Sequence, residues 1–203
     1  MIKSLSIIFP VFNEELRLKS SFNHIKSFLK KKKKFKIEII FVDDGSKDNS
    51  INLIDEFIKN FKSKKVSFKF VKLKKNQGKG GALKLAIKKA KYNWILTSDI
   101  DMSVSLFQLT DWLKNKMIKN DALVYFGSRT HKKSIVKKNF LRNILGNIMR
   151  FIVSKTLSIK IRDTQCGFKL YKNRVAKLTF SKLKNYGFDH DLKIVLLLKS
   201  KNI

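Results

Sequence analysis

The chain has 203 residues, 43% of them hydrophobic, which is enough for one α/β domain with a buried core and too little for a second full domain. Forty-six basic against fifteen acidic residues give a formal net charge of +31, which points to an anionic partner: nucleic acid, an anionic membrane face or a phosphorylated ligand. No run reaches the roughly 18 consecutive apolar residues of a spanning helix, and the single cysteine, Cys166, excludes an intramolecular disulfide.

Forty of the basic residues are Lys and six are Arg. Base-edge reading and bidentate phosphate clamping favour the planar Arg fork, so nucleic acid is not expected as the partner. Lys, Asn, Ile and Phe are abundant together, as a drift toward A/T-rich codons would make them, and part of the charge is then compositional background. One cysteine and three scattered histidines offer no zinc-type spacing, so any metal is expected to be held by oxygen. The first apolar run ends at Pro10, too short for a signal peptide or anchor, which makes the cytoplasm the expected compartment.

In chain order, short β-branched and aromatic runs alternate with longer segments of helical period, the pattern of βαβ units and a mainly parallel sheet. Strands are expected at Ser6–Phe9, Ile37–Val42, Ser67–Leu73, Trp94–Ser98 and Ala122–Phe126. Helices are expected at about Glu14–Lys30, Asn49–Phe61, Gly81–Lys91 and Leu106–Lys119. The Lys run from Lys30 to Lys34 reads as a solvated connection. Between Asn139 and Ile161, apolar residues at helical spacing with Lys and Arg around them fit a core-facing helix, or one lying on a membrane surface. The architecture is a single domain over residues 1–203, an open doubly wound sheet flanked by helices.

In such sheets ligands bind beyond the carboxyl ends of the strands, near the switch point of strand order. After the first strand comes Pro10-Val11-Phe12-Asn13-Glu14, and after the second Asp43-Asp44-Gly45-Ser46. Adjacent carboxylates there can accept from base and ribose donors, or the segment is simply a helix-capping loop. Asn76-Gln77-Gly78-Lys79-Gly80-Gly81 follows the third strand and opens a helix, so backbone amides and Lys79 can face a pyrophosphate. It lacks the spacing of a P-loop or a dinucleotide fingerprint, and alone reads as a Gly-rich turn. After the fourth strand, Asp99 and Asp101 stand two apart, and strand alternation, if it continues, points both the same way. Hard oxygens with open positions suit Mg2+ or Mn2+ bridging a diphosphate.

Taken in order, IIFPVFNEE, IIFVDDGSKDNS, NQGKGGAL, ILTSDIDMS, FGSR and RDTQCGFKLY resemble glycosyltransferase family 2 over nearly the whole chain, in particular its dolichyl-phosphate β-glucosyltransferase branch. The run from Arg162 to Tyr171 is the most specific; mannosyl and bacterial prenyl-phosphate transferases carry looser versions. The resemblance implies a GT-A type nucleotide-diphospho-sugar transferase fold and an inverting reaction. It implies that Pro10, Asn13, Glu14, Asp43 and Asp44 hold the nucleoside, that Lys79 lies near the diphosphate, and that Asp99 and Asp101 hold metal and donor.

By the same likeness Arg129 would meet the acceptor phosphate, and Asp163 and Gln165 would line the reaction centre, Asp163 as candidate base. A phosphate monoester has its second pKa near 6, so such an acceptor is largely anionic at neutral pH and needs little deprotonation. Cys166, with no activating base nearby in sequence, is expected to be structural. Gly187-Phe188-Asp189-His190-Asp191 resembles a later family segment, with Asp191 where Glu is more usual, and Asp189 is the expected participant.

The implied partners are UDP-glucose as donor, a polyprenyl phosphate such as dolichyl phosphate as acceptor, and an anionic membrane surface. Family relatives usually carry a hydrophobic anchor that this chain does not show. Peripheral attachment at the cytoplasmic face of a membrane is then expected to rest on basic residues, at about 1 kcal/mol for each Lys or Arg near the surface. Two other readings stand: transfer to a saccharide or protein hydroxyl, and a non-enzymatic module binding nucleic acid or membrane through its charge.

Overall fold

The computed structural model describes residues 2–31, 36–119, 121–128, 163–184, 187, 189–201 and 203. The strands are β1 (Ser4–Val11), β2 (Lys36–Asp43), β3 (Val66–Lys72), β4 (Trp94–Thr97), β5 (Val124–Phe126) and β6 (Lys169–Lys172). The helices are α1 (Glu15–Lys31), α2 (Ser50–Asn60), α3 (Lys79–Lys89), α4 (Phe107–Lys114), α5 (Asn173–Ser181) and α6 (His190–Lys199). The strands form one sheet in the order β3-β2-β1-β4-β6-β5, with β1 to β4 parallel and β6 antiparallel to both of its neighbours.

Strand alternation divides the core between the two faces of the sheet. Leu5, Ile7, Phe9 and Val11 of β1, with Ile37, Ile39 and Phe41 of β2, pack toward α1, α2 and α4. Ile8, Ile40 and Val42 point the other way, onto Ala82, Leu83, Ala86 and Ile87 of α3 and onto α5 and α6. Both faces of the strands are therefore apolar, as a parallel sheet covered by helices requires. Ser6 and Glu38 interrupt the second face. Their side chains bond at 2.6 Å, and Glu38 also accepts from the Lys91 amide and pairs with Lys69 at 2.9 Å. Burial pushes the Glu38 carboxyl up, but hydrogen bonds from Ser6, Lys69 and Lys91 outweigh it and hold the group below its ordinary value.

The chain leaves β1 for β2 and β3 on one side, then crosses back to β4 on the other, so the order reverses between β1 and β4. That reversal opens a crevice beyond their carboxyl ends. Four expected strands and four expected helices are present with shifted ends, and the fifth strand is the shorter Val124–Phe126. Two differences concern the site. β4 ends at Thr97, so alternation does not govern Asp99 and Asp101; they lie in a turn closed by the Met102 amide on the Asp99 carbonyl at 3.2 Å, with Met102 at φ 54°. And α3 begins at Lys79, not Gly81, because Gly78 at φ 84° turns the chain into the helix two residues earlier. β6, α5 and α6 were not expected from the sequence. The candidate helix from 139 to 161, Arg129 and most of the Lys run lie outside the described residues.

Candidate active site

The loops at the carboxyl ends of β1, β2 and β3 are tied to one another by side-chain-to-backbone hydrogen bonds, and an ion pair joins the loop after β4 to them. Asn13, itself at φ 53°, donates its amide to Ser46 Oγ at 2.9 Å and accepts from the Lys47 amide through Oδ1 at 2.9 Å. The Glu14 amide donates to Ser50 Oγ and the Glu15 amide to Asp48, while Glu15 accepts from the Asn49 amide. The loops after β1 and β2 thus cap each other's helices, and Asn13 is engaged in that framework. The Glu14 carboxylate pairs with Arg17 at 2.7 Å, and Pro10 is half-buried within β1, in register with Val42. Phe12, 44% exposed beside Asn13, is an apolar ring at this strand end that the sequence reading did not single out.

The two carboxylates after β2 have different tasks. Asp43 is fully buried and accepts from the Gly45 and Ser46 amides through Oδ2, while its Oδ1 has no hydrogen-bond partner among the described residues. A buried carboxylate oxygen without a donor is costly, so this atom is suited to accept from a ligand. Asp44 accepts from the Gln77 amide at 2.7 Å, joining the loop after β2 to the one after β3. Burial raises the Asp44 carboxyl above its ordinary value, against the amides of Gln77 and Gly78. Gly45, at φ 78°, lies so close to the second loop that a Cβ would meet the Asn76 nitrogen and the Lys75 carbonyl carbon at 2.9 Å.

Lys79, the first residue of α3, forms an ion pair with Asp99 across the crevice; both side chains are about one-third exposed, at 35% and 33%. Burial pulls the Lys79 ammonium down, but the charge and hydrogen bond of Asp99, with Asp191 and Asp101 farther out, hold it above its ordinary value. The Asp101 side chain is exposed and accepts from the Ser103 amide at 2.9 Å. Asp99 and Asp101 on one turn give hard oxygen donors, the kind that holds Mg2+ or Mn2+ through one or two carboxylates while phosphate oxygens and water complete the shell. Among the described residues no group of three or more His, Cys, Asp or Glu encloses an ion. The set fits a shared site completed by a ligand better than an all-protein cage.

The segment 163–169 forms the wall facing this turn. Asp163 is 1% exposed and Gln165 exposed. Thr97 at the end of β4 donates its hydroxyl to the Gly167 carbonyl at 3.0 Å. Gly167 then presses on the acidic turn: a Cβ there would come within 2.5 Å of Asp99 Cγ. Cys166 is 1% exposed, and Gly127 packs so closely on it that a Cβ would meet its sulfur at 2.9 Å, a packing role for this thiol.

Beneath that wall lies a buried ion pair absent from the sequence expectations. Lys169 Nζ reaches Asp191 at 2.6 Å and the Cys166 carbonyl at 2.7 Å, and the Lys169 side chain is 2% exposed. One lysine therefore fastens the 163–167 segment to α6. His190 sits beside it, with Nδ1 at 2.9 Å from the Gly187 carbonyl and burial lowering its ring below the ordinary value. Asp189, the expected participant, lies exposed at the start of α6, where its hydrogen bond from Lys193 lowers its carboxyl. Asp191 is the carboxylate of that segment that faces the cluster. The signal that could have found the pair was a Lys inside the apolar run CGFKLY.

Residues 6–180 match the sequence model of glycosyl transferase family 2. The chain is 37% identical over 209 residues to a dolichyl-phosphate β-glucosyltransferase of Dictyostelium discoideum, covering 98% of this chain and 63% of the relative. It is 35% identical over 208 residues to the Homo sapiens protein of the same name, covering 94% and 62%. It thus spans less than two thirds of the length of either relative. Glucosyl-3-phosphoglycerate synthase of Mycobacterium tuberculosis, solved with Mn2+, UDP and glucosyl-3-phosphoglycerate, superposes with a TM-score of 0.68 at 14% identity, over 98% of this chain and 66% of that one. The mannosyltransferase PcManGT of Pyrobaculum calidifontis, solved with GDP-Man and Mn2+, gives 0.61 at 15% identity, over 96% and 52%. These two share the GT-A fold with it. By the breadth of the match and the order of its motifs, the chain belongs to glycosyl transferase family 2.

Proposed function

We propose that this chain carries the catalytic site of a transferase that moves glucose from UDP-glucose to a polyprenyl phosphate of the dolichyl type, with inversion and with Mg2+ or Mn2+. The observation that carries the reading is the convergence of the loops after β2, β3 and β4 and the 163–169 wall on the Lys79–Asp99 pair. The nucleoside lies over Pro10, Asn13 and Glu14 and against Asp43, whose Oδ1 accepts from the base or ribose. Lys79 and the first turn of α3 face the diphosphate, where the helix end adds partial positive charge. A divalent ion on Asp99 and Asp101 would offset charge on the departing nucleotide.

The acceptor phosphate attacks the anomeric carbon from the face opposite the leaving UDP, so its oxygen–carbon bond forms as the bond to the β-phosphate breaks. Arg129 is assigned to hold that phosphate, and Asp163 and Gln165 to line its approach. The dianionic acceptor needs no strong base, which leaves Asp163 to orient it rather than deprotonate it. Access to a lipid rests on exposed lysines; no helix among the described residues is long and apolar enough to cross a membrane. A hydroxyl acceptor is the second reading, and it would give Asp163, 1% exposed, the role of general base.

Labelled UDP-glucose, a prenyl phosphate and Mg2+ are expected to give a labelled lipid with the wild-type chain and none with Asp101→Ala. Label in a water-soluble saccharide instead of lipid would favour the second reading. Full activity in the variant would remove the metal assignment.

A further inference from the structure

The Lys79 ammonium is bonded to the carboxylate that the proposed function assigns to the metal. It is carried by the first residue of a helix, and Asp191 and Asp101 act on it as well. Gly167 packs closely against Asp99, so the ammonium and a divalent ion would have to share one carboxylate. An ammonium and a divalent ion at hydrogen-bonding distance of one carboxylate also repel each other, at an energy that a half-exposed site screens only partly. The lysine side chain, by contrast, has four rotatable bonds and partial exposure, and it can swing.

We propose that Lys79 is an exchangeable internal counter-cation: it neutralises Asp99 until a nucleoside diphosphate draws the ammonium away, so that diphosphate and divalent cation bind with positive coupling through this one lysine. The inference rests on the assignment of Asp99 to the metal. The diphosphate gives the ammonium a new anionic partner, and the carboxylate it leaves gains the divalent ion. Binding of either ligand then removes a cost from the other, and by linkage the coupling factor is the same in both directions. The site stays closed to a free divalent ion in the absence of nucleotide.

The test is binding, read without turnover. Mn2+ is titrated into the full chain by calorimetry, alone and with saturating UDP, and UDP is titrated with and without Mn2+; GDP serves as a second probe. Wild type is expected to bind Mn2+ weakly alone and at least about tenfold tighter with UDP, within the usual range of coupling. Lys79→Met is expected to bind Mn2+ alone about tenfold tighter than wild type, to bind UDP alone more weakly, and to lose most of the coupling. Lys79→Arg keeps the charge and is expected to stay near wild type in Mn2+ affinity. Thermal melts show that each variant is folded; the 35% exposed side chain makes this the expected result.

Unchanged or weaker binding of Mn2+ alone to a folded Lys79→Met, in a chain whose wild type binds Mn2+ and UDP together, overturns the counter-cation role and leaves the proposed function standing. A wild type that binds neither ligand overturns both.

Discussion

Gly167→Ala tests whether the 163–169 wall sets the position of the acidic turn. An added Cβ would lie 2.5 Å from Asp99 Cγ, where carbon atoms in contact need about 3.4 Å or more, so one side must give by roughly 1 Å. The wall is anchored at three points: Thr97 to the Gly167 carbonyl, and Lys169 to both Cys166 and Asp191. Asp99 is a side chain about one-third exposed on a turn, and it is the side that moves. A misplacement of about 1 Å in a group that positions the reacting centre can cost about 100-fold in rate. Overpacking at a half-exposed position costs toward the low end of about 1–3 kcal/mol in stability. The expected outcome is therefore a folded protein with turnover reduced about 100-fold and weaker Mn2+ binding in the presence of UDP. Transfer of label from UDP-glucose, Mn2+ titration and a urea melt measure the three quantities. Wild-type turnover and Mn2+ affinity in a folded Gly167→Ala would refute the assignment of Asp99, because a displaced carboxylate would then carry no function.

Three further outcomes follow from other parts of the molecule. Lys169→Met leaves the buried Asp191 with only His190 Nε2, at 3.5 Å, as a cation-capable group within ion-pairing distance among the described residues, and is expected to lose about 3–5 kcal/mol in a urea melt, whereas Lys169→Met with Asp191→Leu recovers a large part of that loss; equal losses in the single and double variants would show that the pair does not act as a unit. Asp43→Asn keeps the shape but changes an acceptor oxygen, and is expected to weaken UDP at least about tenfold by calorimetry while leaving Mn2+ alone unaffected; unchanged UDP binding removes Asp43 from the nucleoside site. His24 accepts from the Leu106 amide at 3.2 Å, and burial holds its ring below the ordinary value of 6.5. Its neutral form is the folded one, so its contribution is complete above the unfolded value and is lost as pH falls through the folded one. Urea midpoints should drop between pH 7.5 and 5.5, less steeply in His24→Asn; identical slopes would contradict the assignment.

The strands and helices were readable where periodicity ran long enough. β1 and β2 are rich in β-branched and aromatic residues, β3 alternates Val and Phe with Ser and Lys, and α1 and α2 carry apolar residues at helical spacing, so each was placed within two residues. β6 was not, because its four residues, KLYK, contain a lysine at each end and no alternation distinguishes a strand that buries its first lysine. α6 has apolar residues on most of its circumference, so no face stood out. The motifs were legible as chemistry, whereas their contacts were not: Lys79 meeting Asp99 and Asp191 meeting Lys169 join residues 20 and 22 positions apart, which only tertiary structure brings together. The expectation that strand alternation aims Asp99 and Asp101 failed for a simple reason: the strand stops two residues before the first of them.

A chain with 46 basic and fifteen acidic residues places Asp43, Asp44, Asp99 and Asp101 at the ends of β2 and β4 on one rim of its sheet, with Asp191 close enough to act on Lys79. Among the described residues, Lys79 is bonded to Asp99 and Lys169 to Asp191. Lys169 is enclosed, and its carboxylate partner has nowhere to go; Lys79 is the cation of the two with access to solvent. A diphosphate entering such a rim adds negative charge beside Asp43, Asp44, Asp99 and Asp101. Coulomb repulsion between unit charges 4 Å apart is about 4 kcal/mol at an effective dielectric of 20, several times what one neutral hydrogen bond returns. Entry therefore demands that positive charge arrive with the ligand or be released from within. A divalent ion provides the first, and the swing of Lys79 provides the second. The overall charge of the chain can draw anions toward it, but at the rim itself the local arrangement of carboxylates decides which of them stay.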